Sequence, residues 1–301
     1  NSANKTRLIP FEFSTTQTYM LEFSNLKMRV YKDRGSVLEG DKTISAITKA
    51  NPAVVTATGH GYSNGDEVVI SGVVGMTEVN GKRFLVANKA TNTFELTDKD
   101  GTNINSSTFT TYTSGGVSNK VFEITTPYTT AQLFDLKFAQ SADVMYITHP
   151  EHEVEKLSRT AHTAWTLTDV DFTNGPYMDA NITTTTLNPG SHTVGTGVAV
   201  VASAVTGINS GSGFLSTDVG RLLQFGTGYG KITAVANTLN ITITIIEDLG
   251  SATASANWSL GAFSDTTGFP TCVTFFEQRL VFAGTTSQPQ TIFFSKSGDY
   301  E

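Results

Sequence analysis

Three aspartates that lie close together in the sequence are the residues best placed to do chemistry. Asp169, Asp171 and Asp179 lie near Trp165 and Tyr177. A glycosidase needs two carboxyl groups that face each other across an aromatic-lined cleft, one of them withdrawn from water so that it keeps a proton. The same residues also fit acidic loop positions beside a core tryptophan, and we favour that interpretation.

A histidine-rich stretch offers a second candidate. His149, Pro150, Glu151 and His152 are followed by Glu153, so nitrogen and oxygen ligands for a metal ion stand close together. We favour a charged turn between two strands, because Pro150 and an exposed turn leave no rigid outer shell to orient the ligands.

The glycine-rich stretch Gly226–Lys231 invites comparison with a phosphate-binding loop. That motif requires glycine where Phe225 stands and serine or threonine where Ile232 stands, and no helix follows. A glycine-rich hairpin turn therefore fits the stretch better.

The remaining signatures of catalysis are missing from the sequence. There is no Gly-x-Ser-x-Gly elbow, and the five histidines do not single out a catalytic triad. The sequence thus predicts no catalytic, cofactor-binding or metal-binding residue and no cofactor, and we expect a protein that is not an enzyme.

Composition sets further limits. The formal net charge is −7, from 20 basic and 27 acidic side chains, and no basic cluster occurs, so tight sequence-independent binding of nucleic acid is not expected. A single cysteine, Cys272, excludes an internal disulfide framework, and its apolar neighbours predict a buried small side chain. No apolar run is long enough for a membrane helix, and no secretory signal opens the chain.

The elements that must position these residues are strands. Between residues 133 and 172, four short apolar and β-branched runs follow one another, and they are separated by turn-forming residues. The runs are Leu133–Phe138, Val144–Thr148, Val154–Ser158 and Ala164–Val170. Four strands in about forty residues is the length of one propeller blade. Similar units near both ends predict an all-β fold with a partial β-propeller-like core of four-stranded blades, and a plain β-sandwich is the alternative.

The residue composition changes at two places along the chain, and these changes predict two inserted small β-domains. The predicted order is a first blade in 1–42, a small β-barrel in 43–118, the end of the first blade and a second blade in 119–180, a second inserted β-domain in 181–262 and the start of a third blade in 263–301. Because the chain starts at Asn1 and Glu301 ends an unfinished unit, we expect a piece of a longer protein.

The first insert carries a recognisable pattern of residues. His60–Val68, Ile70–Val73, Asn80–Gly81 and Asn92–Leu96 together resemble the FCCH-type small β-barrel module, which occurs in many phage tail proteins and is named after ubiquitin-activating enzymes. The resemblance implies no ubiquitin chemistry, since the module carries no nucleotide site or thiol.

Several short sequence segments along the whole chain resemble segments of the tail nozzle protein, or tail tubular protein B type, of short-tailed phages (podoviruses). They are Thr6–Phe13, Asp135–Asp143, Leu157–Arg159, Phe275–Leu280 and Ser295–Tyr300. The resemblance implies a structural virion protein in the virion tail, assembled in the bacterial host cytoplasm as a homohexameric ring that forms the conduit for genome ejection. Its implied partners are further copies of itself, the head-to-tail adaptor protein, tail fibre or tailspike proteins, and double-stranded DNA that passes without tight binding.

Two other functions remain open at this point. A host-surface glycan-binding module would present aromatic residues on a concave face, and Trp258, Tyr229 and Tyr112 are the residues that would serve. An enzyme on a propeller scaffold would require acids that converge in one pocket.

Overall fold

A computed structural model describes residues 5–14 and 17–300, and the terminal residues Asn1 and Glu301 lie outside that part. The predicted all-β fold is confirmed: the described residues form antiparallel sheets, and their helical pieces are short 3-10 turns, namely Thr77–Val79, Asn209–Gly211 and Ser216–Asp218. Within these residues no helix has the length and apolar character to cross a membrane. The chain divides into two compact units, residues 1–130 with 160–165, and residues 131–159 with 166–301.

The first sheet is a meander whose last strand comes from much later in the chain. Its strands are β1 (Arg7–Ser14), β2 (Gln17–Ser24), β3 (Lys27–Lys32), β4 (Gly35–Ser36) and β12 (Glu123–Thr125), in the order β1-β2-β3-β12 with β4 also on β3. Alternate residues such as Ile9, Phe11 and Leu21 are fully buried, because side chains along a strand point to opposite faces.

The second sheet lies between β4 and β12 in sequence. It contains β5 (Lys42–Thr43), β6 (Ala46–Ile47), β7 (Val54–Thr56), β8 (Glu67–Val74), β9 (Lys82–Ala87), β10 (Thr93–Thr97) and β11 (Ser114–Lys120), in the order β5-β11-β8-β9-β10-β7-β6. It encloses its own apolar core, which includes Ile70, Met76 and Phe94. Gly116 brings β11 against β8, since a Cβ there would meet Val73 Cγ2 at 2.4 Å and its φ of 94° suits glycine.

The third sheet is the four-stranded unit that the central repeat predicts. Its strands are β13 (Lys137–Ser141), β14 (Val144–His149), β15 (His152–Ala161) and β16 (Ala164–Asp169), paired in chain order. β13 begins later than the predicted Leu133, because Leu133 and Leu136 are buried in a turn that precedes the strand.

The fourth sheet has six strands around a separate core. They are β17 (Leu187–Pro189), β18 (Gly195–Ala202), β19 (Leu222–Phe225), β20 (Gly228–Asn237), β21 (Asn240–Glu247) and β22 (Trp258–Leu260), in the order β17-β18-β21-β20-β19-β22. Phe214, Ile243 and Trp258 are among the buried residues of this core.

The fifth sheet has three strands, β23 (Cys272–Phe276), β24 (Arg279–Ala283) and β25 (Ile292–Phe294). Leu280 and Phe282 share a core with Tyr146 and Val154 of the third sheet. Cys272 is exposed, so the predicted buried position is wrong. On β23 it alternates with Val273 and Phe275, which pack against that core. The division into blades and inserted domains, their boundaries and the propeller arrangement stay predictions.

Candidate functional site

A pair of carboxyl groups on neighbouring strands is the most unusual chemical feature of the second unit. Glu155 on β15 lies close to Asp169 on β16, and only 7% of Glu155 is exposed. Burial, together with the negative charges of Asp169 and Glu153, raises the pKa of Glu155 to about 7. Glu155 therefore keeps its proton up to nearly neutral pH.

A small cleft is lined by other acids of the same unit. Glu153, Asp171 and Asp265 line it together with Lys231, whose Nζ lies 3.2 Å from Asp171 Oδ1. Burial also raises the pKa of Glu153. The cleft volume is 60 Å³, well below the roughly 300–1,000 Å³ that is usual for ligand pockets. It is too small for a sugar ring.

The three aspartates of the sequence analysis do not converge. Asp169 pairs with Glu155, Asp171 pairs with Lys231, and Asp179 lines a different and larger cavity. Trp165 is a buried core residue, as expected, but Asp169 belongs to β16 and is not a loop position.

The sequence analysis named Glu153 only beside the histidine-rich stretch, and it did not single out Glu155. They lie two residues apart on one strand, on either side of the buried Val154, so they share a face of the sheet. Two acids at alternate positions of one strand are the signal that could have found them.

The histidine-rich stretch forms the end of β14 and the start of β15. The rings of His149 and His152 lie 5.1 Å apart, and burial lowers the pKa of both. His149 Nδ1 accepts a hydrogen bond from the Glu151 amide at 3.1 Å. Across the part of the chain that the structure describes, no three His, Cys, Asp or Glu side chains are grouped to hold a metal ion.

The glycine-rich stretch Gly226–Lys231 is a hairpin turn, as predicted. Phe225 pairs with Gly228, and β20 continues through Lys231. Gly226 has a φ of 59°, which a left-handed turn position requires.

A network of ion pairs joins the first sheet to the second. Arg29 on β3 donates from Nη1 to Glu67 Oε2 at 2.7 Å and from Nε to Glu123 Oε2 at 3.2 Å. Arg83 on β9 reaches Glu67 Oε1 at 2.8 Å, and Lys27 donates to Glu123 Oε1. Two carboxylates are therefore shared among three cations where the second sheet meets the first.

Comparison with known proteins gives one family match inside the chain. Residues 50–121 match the family model described as the ubiquitin-activating enzyme E1 FCCH domain, which confirms the predicted resemblance of this stretch. The match covers most of the second sheet. No curated protein matches the chain.

A solved structure described as a phage phi92 endosialidase is similar over 93% of this chain, with 12% sequence identity and a TM-score of 0.21. The chain covers 52% of that structure's chain, about half its length. The sequence analysis expected a protein that is not an enzyme, and this comparison contradicts that expectation because the matching structure is an enzyme. We withdraw the expectation, and a TM-score this low carries no argument for any particular reaction.

Proposed function

We propose that this chain is a phage tail protein and, more specifically, part of the tail nozzle of a short-tailed phage. The observation that carries the proposal is the position of the FCCH-type barrel. It enters after β4 and leaves before β12, so it interrupts the five-stranded first sheet at one point. This is the order of blade and insert that the sequence resemblance to nozzle proteins implies.

The entry and exit of the barrel lie side by side, which suits an inserted module. Thr43 pairs with Val117, and Leu38 forms a bridge with Val121. The barrel also has a core of its own. An insertion of this kind adds a surface to a blade without interrupting the blade's own hydrogen bonding.

The charges of the first unit are compatible with a conduit surface that DNA passes without binding tightly. Lys27 forms an ion pair with Glu123, and Arg29 forms ion pairs with Glu67 and Glu123, which reduces the positive charge that they present to phosphates. In the second unit, Arg279 donates from Nη1 to the Ser295 carbonyl at 2.7 Å. Because each free cation that meets a phosphate adds affinity by releasing counterions, pairing of this kind lowers the friction on a moving duplex.

In this proposal the protein assembles into a closed homohexameric ring in the virion tail, beside the head-to-tail adaptor and the tail fibre or tailspike proteins. A conduit needs cyclic symmetry, with heterologous contacts between identical subunits. Assembly would take place in the bacterial host cytoplasm, before the genome passes through the finished tail.

The deciding experiment is the mass of the full-length protein, measured by native mass spectrometry with and without its neighbouring tail protein, followed by electron microscopy of the particles. We expect a six-fold ring with a central channel. A protein that stays monomeric in the presence of its tail neighbours would refute the nozzle assignment.

The aromatic residues that were expected to bind a glycan do not support the glycan-binding alternative. Trp258 and Tyr229 are buried, and the Tyr112 hydroxyl donates to the carbonyls of Ile44 and Gly115. None of these side chains offers an open aromatic platform for a sugar ring.

A further inference from the structure

The fourth sheet contains a fully buried arginine whose hydrogen bonding is incomplete at one atom. Arg221 precedes β19, and its side chain and that of Asp218 are 0% exposed. Arg221 Nε donates to the Gly261 carbonyl at 2.7 Å, and Nη1 donates to Asn209 Oδ1 and Asp218 Oδ1, each at 2.8 Å. These bonds fix the guanidinium group in place.

The remaining nitrogen, Nη2, has a poor partner. Among the residues that the structure describes, Nη2 donates a hydrogen bond only to the thioether sulfur Sδ of Met178, at 2.9 Å. A thioether sulfur is a weak acceptor, whereas a buried guanidinium N–H favours an oxygen. Met178 therefore occupies a position that a stronger acceptor would fill better.

Met178 and Arg221 line a large cavity of the second unit. Its volume is 420 Å³, inside the roughly 300–1,000 Å³ range of ligand pockets. Apolar side chains of the lining include Leu215, Trp258 and Leu260. Side chains with hydroxyl groups, such as Thr183, Thr266 and Ser287, complete it, and Asp179 and Arg221 are the charged members of its lining.

The charged side chains at the cavity favour an uncharged ligand. Asp218 neutralises Arg221, and its other oxygen, Oδ2, accepts from Asn209 Nδ2 at 2.6 Å and from the Leu215 amide at 2.9 Å. With Asp218 and Asp179 both nearby, a carboxylate would meet negative charge without a net positive charge to balance it. A neutral carbonyl oxygen avoids this repulsion.

The cavity is bordered by a loop that is held in shape before any ligand arrives. Asn181 Nδ2 donates to the carbonyls of Thr183, Thr185 and Ala256, and its Oδ1 accepts from the Thr183 amide at 3.1 Å. Ile182, between these anchored residues, is 97% exposed. A preformed wall lowers the entropy cost of binding.

We propose that this cavity binds an N-acetylated sugar. The acetamido carbonyl displaces the Met178 thioether and accepts from Arg221 Nη2, the acetyl methyl packs against Leu215 and Leu260, and the sugar hydroxyls meet the threonine and serine side chains. Met178 can move aside at low cost, because its side chain is unbranched and flexible. This inference does not depend on the nozzle assignment.

The test uses N-acetylglucosamine as the probe, with glucose as the matched sugar that lacks the acetamido group, and N-acetylalanine amide as a peptide-like acetamide. Binding is measured by saturation-transfer NMR and calorimetry. We expect saturable binding of N-acetylglucosamine with a dissociation constant on the order of 1–10 mM, since a single ring makes few contacts. Glucose should bind at least about tenfold more weakly, because it leaves the Nη2 donor without its acceptor.

Variants at Met178 locate the binding atom. Met178→Gln supplies an amide oxygen to Arg221 from within the protein, so it should abolish binding, while Met178→Ala should retain it. Ser287→Trp places a large ring at an exposed position of the lining and should also block the site. Its control is Thr286→Trp, which places the same ring at the exposed neighbouring position outside the lining and should leave binding intact. Thermal unfolding checks that each variant is folded, and the comparison of Ser287→Trp with Thr286→Trp still decides the matter if Met178→Gln does not fold.

Three results would overturn the proposal: no saturable binding of N-acetylglucosamine, equal binding of glucose, or unchanged binding in both Met178→Gln and Ser287→Trp. Binding of N-acetylalanine amide as tight as that of the sugar would also overturn it, because the site would then recognise a peptide partner.

Discussion

Arg29 on β3 and Glu67 on β8 form an ion pair at 2.7 Å that joins the first sheet to the FCCH-type barrel inserted into it. Glu67 is also bonded to Arg83 at 2.8 Å, so one carboxylate holds a cation from each sheet. Burial alone would raise the pKa of Glu67, but the hydrogen bond from Arg83 and the charge of Arg29 outweigh it and lower the pKa below 4.5.

Glu67→Gln should therefore reduce stability by about 1–3 kcal/mol at pH 7, the usual range for losing hydrogen bonds to a charged group. A carboxylate with a lowered pKa stabilises the fold above its unfolded pKa and loses this effect as pH falls through the folded value. The difference from wild type should thus shrink below pH 4.5. Urea unfolding measures it, with Asp100→Asn on an exposed turn of the barrel as the control. Equal stability of Glu67→Gln and wild type at pH 7 would show that the pair does not hold the barrel.

Glu155 should give the opposite pH dependence. Its pKa is raised from 4.5 to about 7, so the folded protein binds a proton that the unfolded chain releases, and stability should fall as pH rises between these two values. Glu155→Gln keeps a neutral group at the site, so it should stabilise the protein at pH 8 and have little effect at pH 4. Thermal unfolding across this range measures the slope. A Glu155→Gln variant that is less stable than wild type at pH 8 would contradict the assignment of the raised pKa.

Trp165 should be an anchor of the first unit. It is 5% exposed, and its ring meets those of Phe11 at 4.8 Å and Tyr19 at 5.3 Å, both in edge-to-face geometry. Trp165→Ala should cost about 3–5 kcal/mol, as expected for a buried large-to-small change. Thr166→Ala, at the exposed neighbouring position, is the control. A loss of less than about 1 kcal/mol in chemical denaturation would mean that the ring contributes little packing.

Removal of residues 44 to 117 should leave the rest of the chain folded. Thr43 and Val117 are paired across β5 and β11, so the two ends of the cut lie within reach of a short Gly/Ser linker. Soluble expression and a cooperative unfolding transition of the shortened protein measure the outcome. An insoluble product, while point variants within the segment remain soluble, would show that the barrel is integral to the first unit.

The assembled protein should bind double-stranded DNA weakly or not at all near physiological salt. The net charge is −7, and Lys27 and Arg29 are already paired with carboxylates. A fluorescence anisotropy titration at low and moderate salt tests this. Submicromolar affinity with a steep salt dependence would indicate a protein that grips DNA, since that dependence counts the phosphates that are neutralised.

The sequence predicted the strands well because their evidence is local. Alternation along Leu8–Phe13 and Val154–Ser158 follows from the two-residue period of a strand, and glycine-rich turns such as Gly226–Lys231 follow from backbone geometry. The FCCH-type barrel was recognisable for a similar reason, since its turn and core residues lie within about seventy consecutive positions.

The same local evidence failed where a residue's environment depends on distant parts of the chain. A period of two does not say which face of β23 meets a core, so Cys272 was assigned to the wrong face. Leu133 and Leu136 are buried but lie before the first strand of the third sheet. The sequence predicts a strand there because apolar character alone does not distinguish a buried connecting segment from a strand.

What the sequence determined by itself is the all-β character, the order of the strands and the presence of the inserted barrel, because period, turn chemistry and motif are properties of neighbouring residues. Only the tertiary structure decided that Glu155 meets Asp169, that Glu67 meets Arg29, and that Met178 lies against Arg221. These partners are between 14 and 43 positions apart, and non-local pairing fixes their burial. The pKa values and donor geometry of the candidate sites follow from that burial. The free energy of a charge or a hydrogen bond depends on whether water reaches the group.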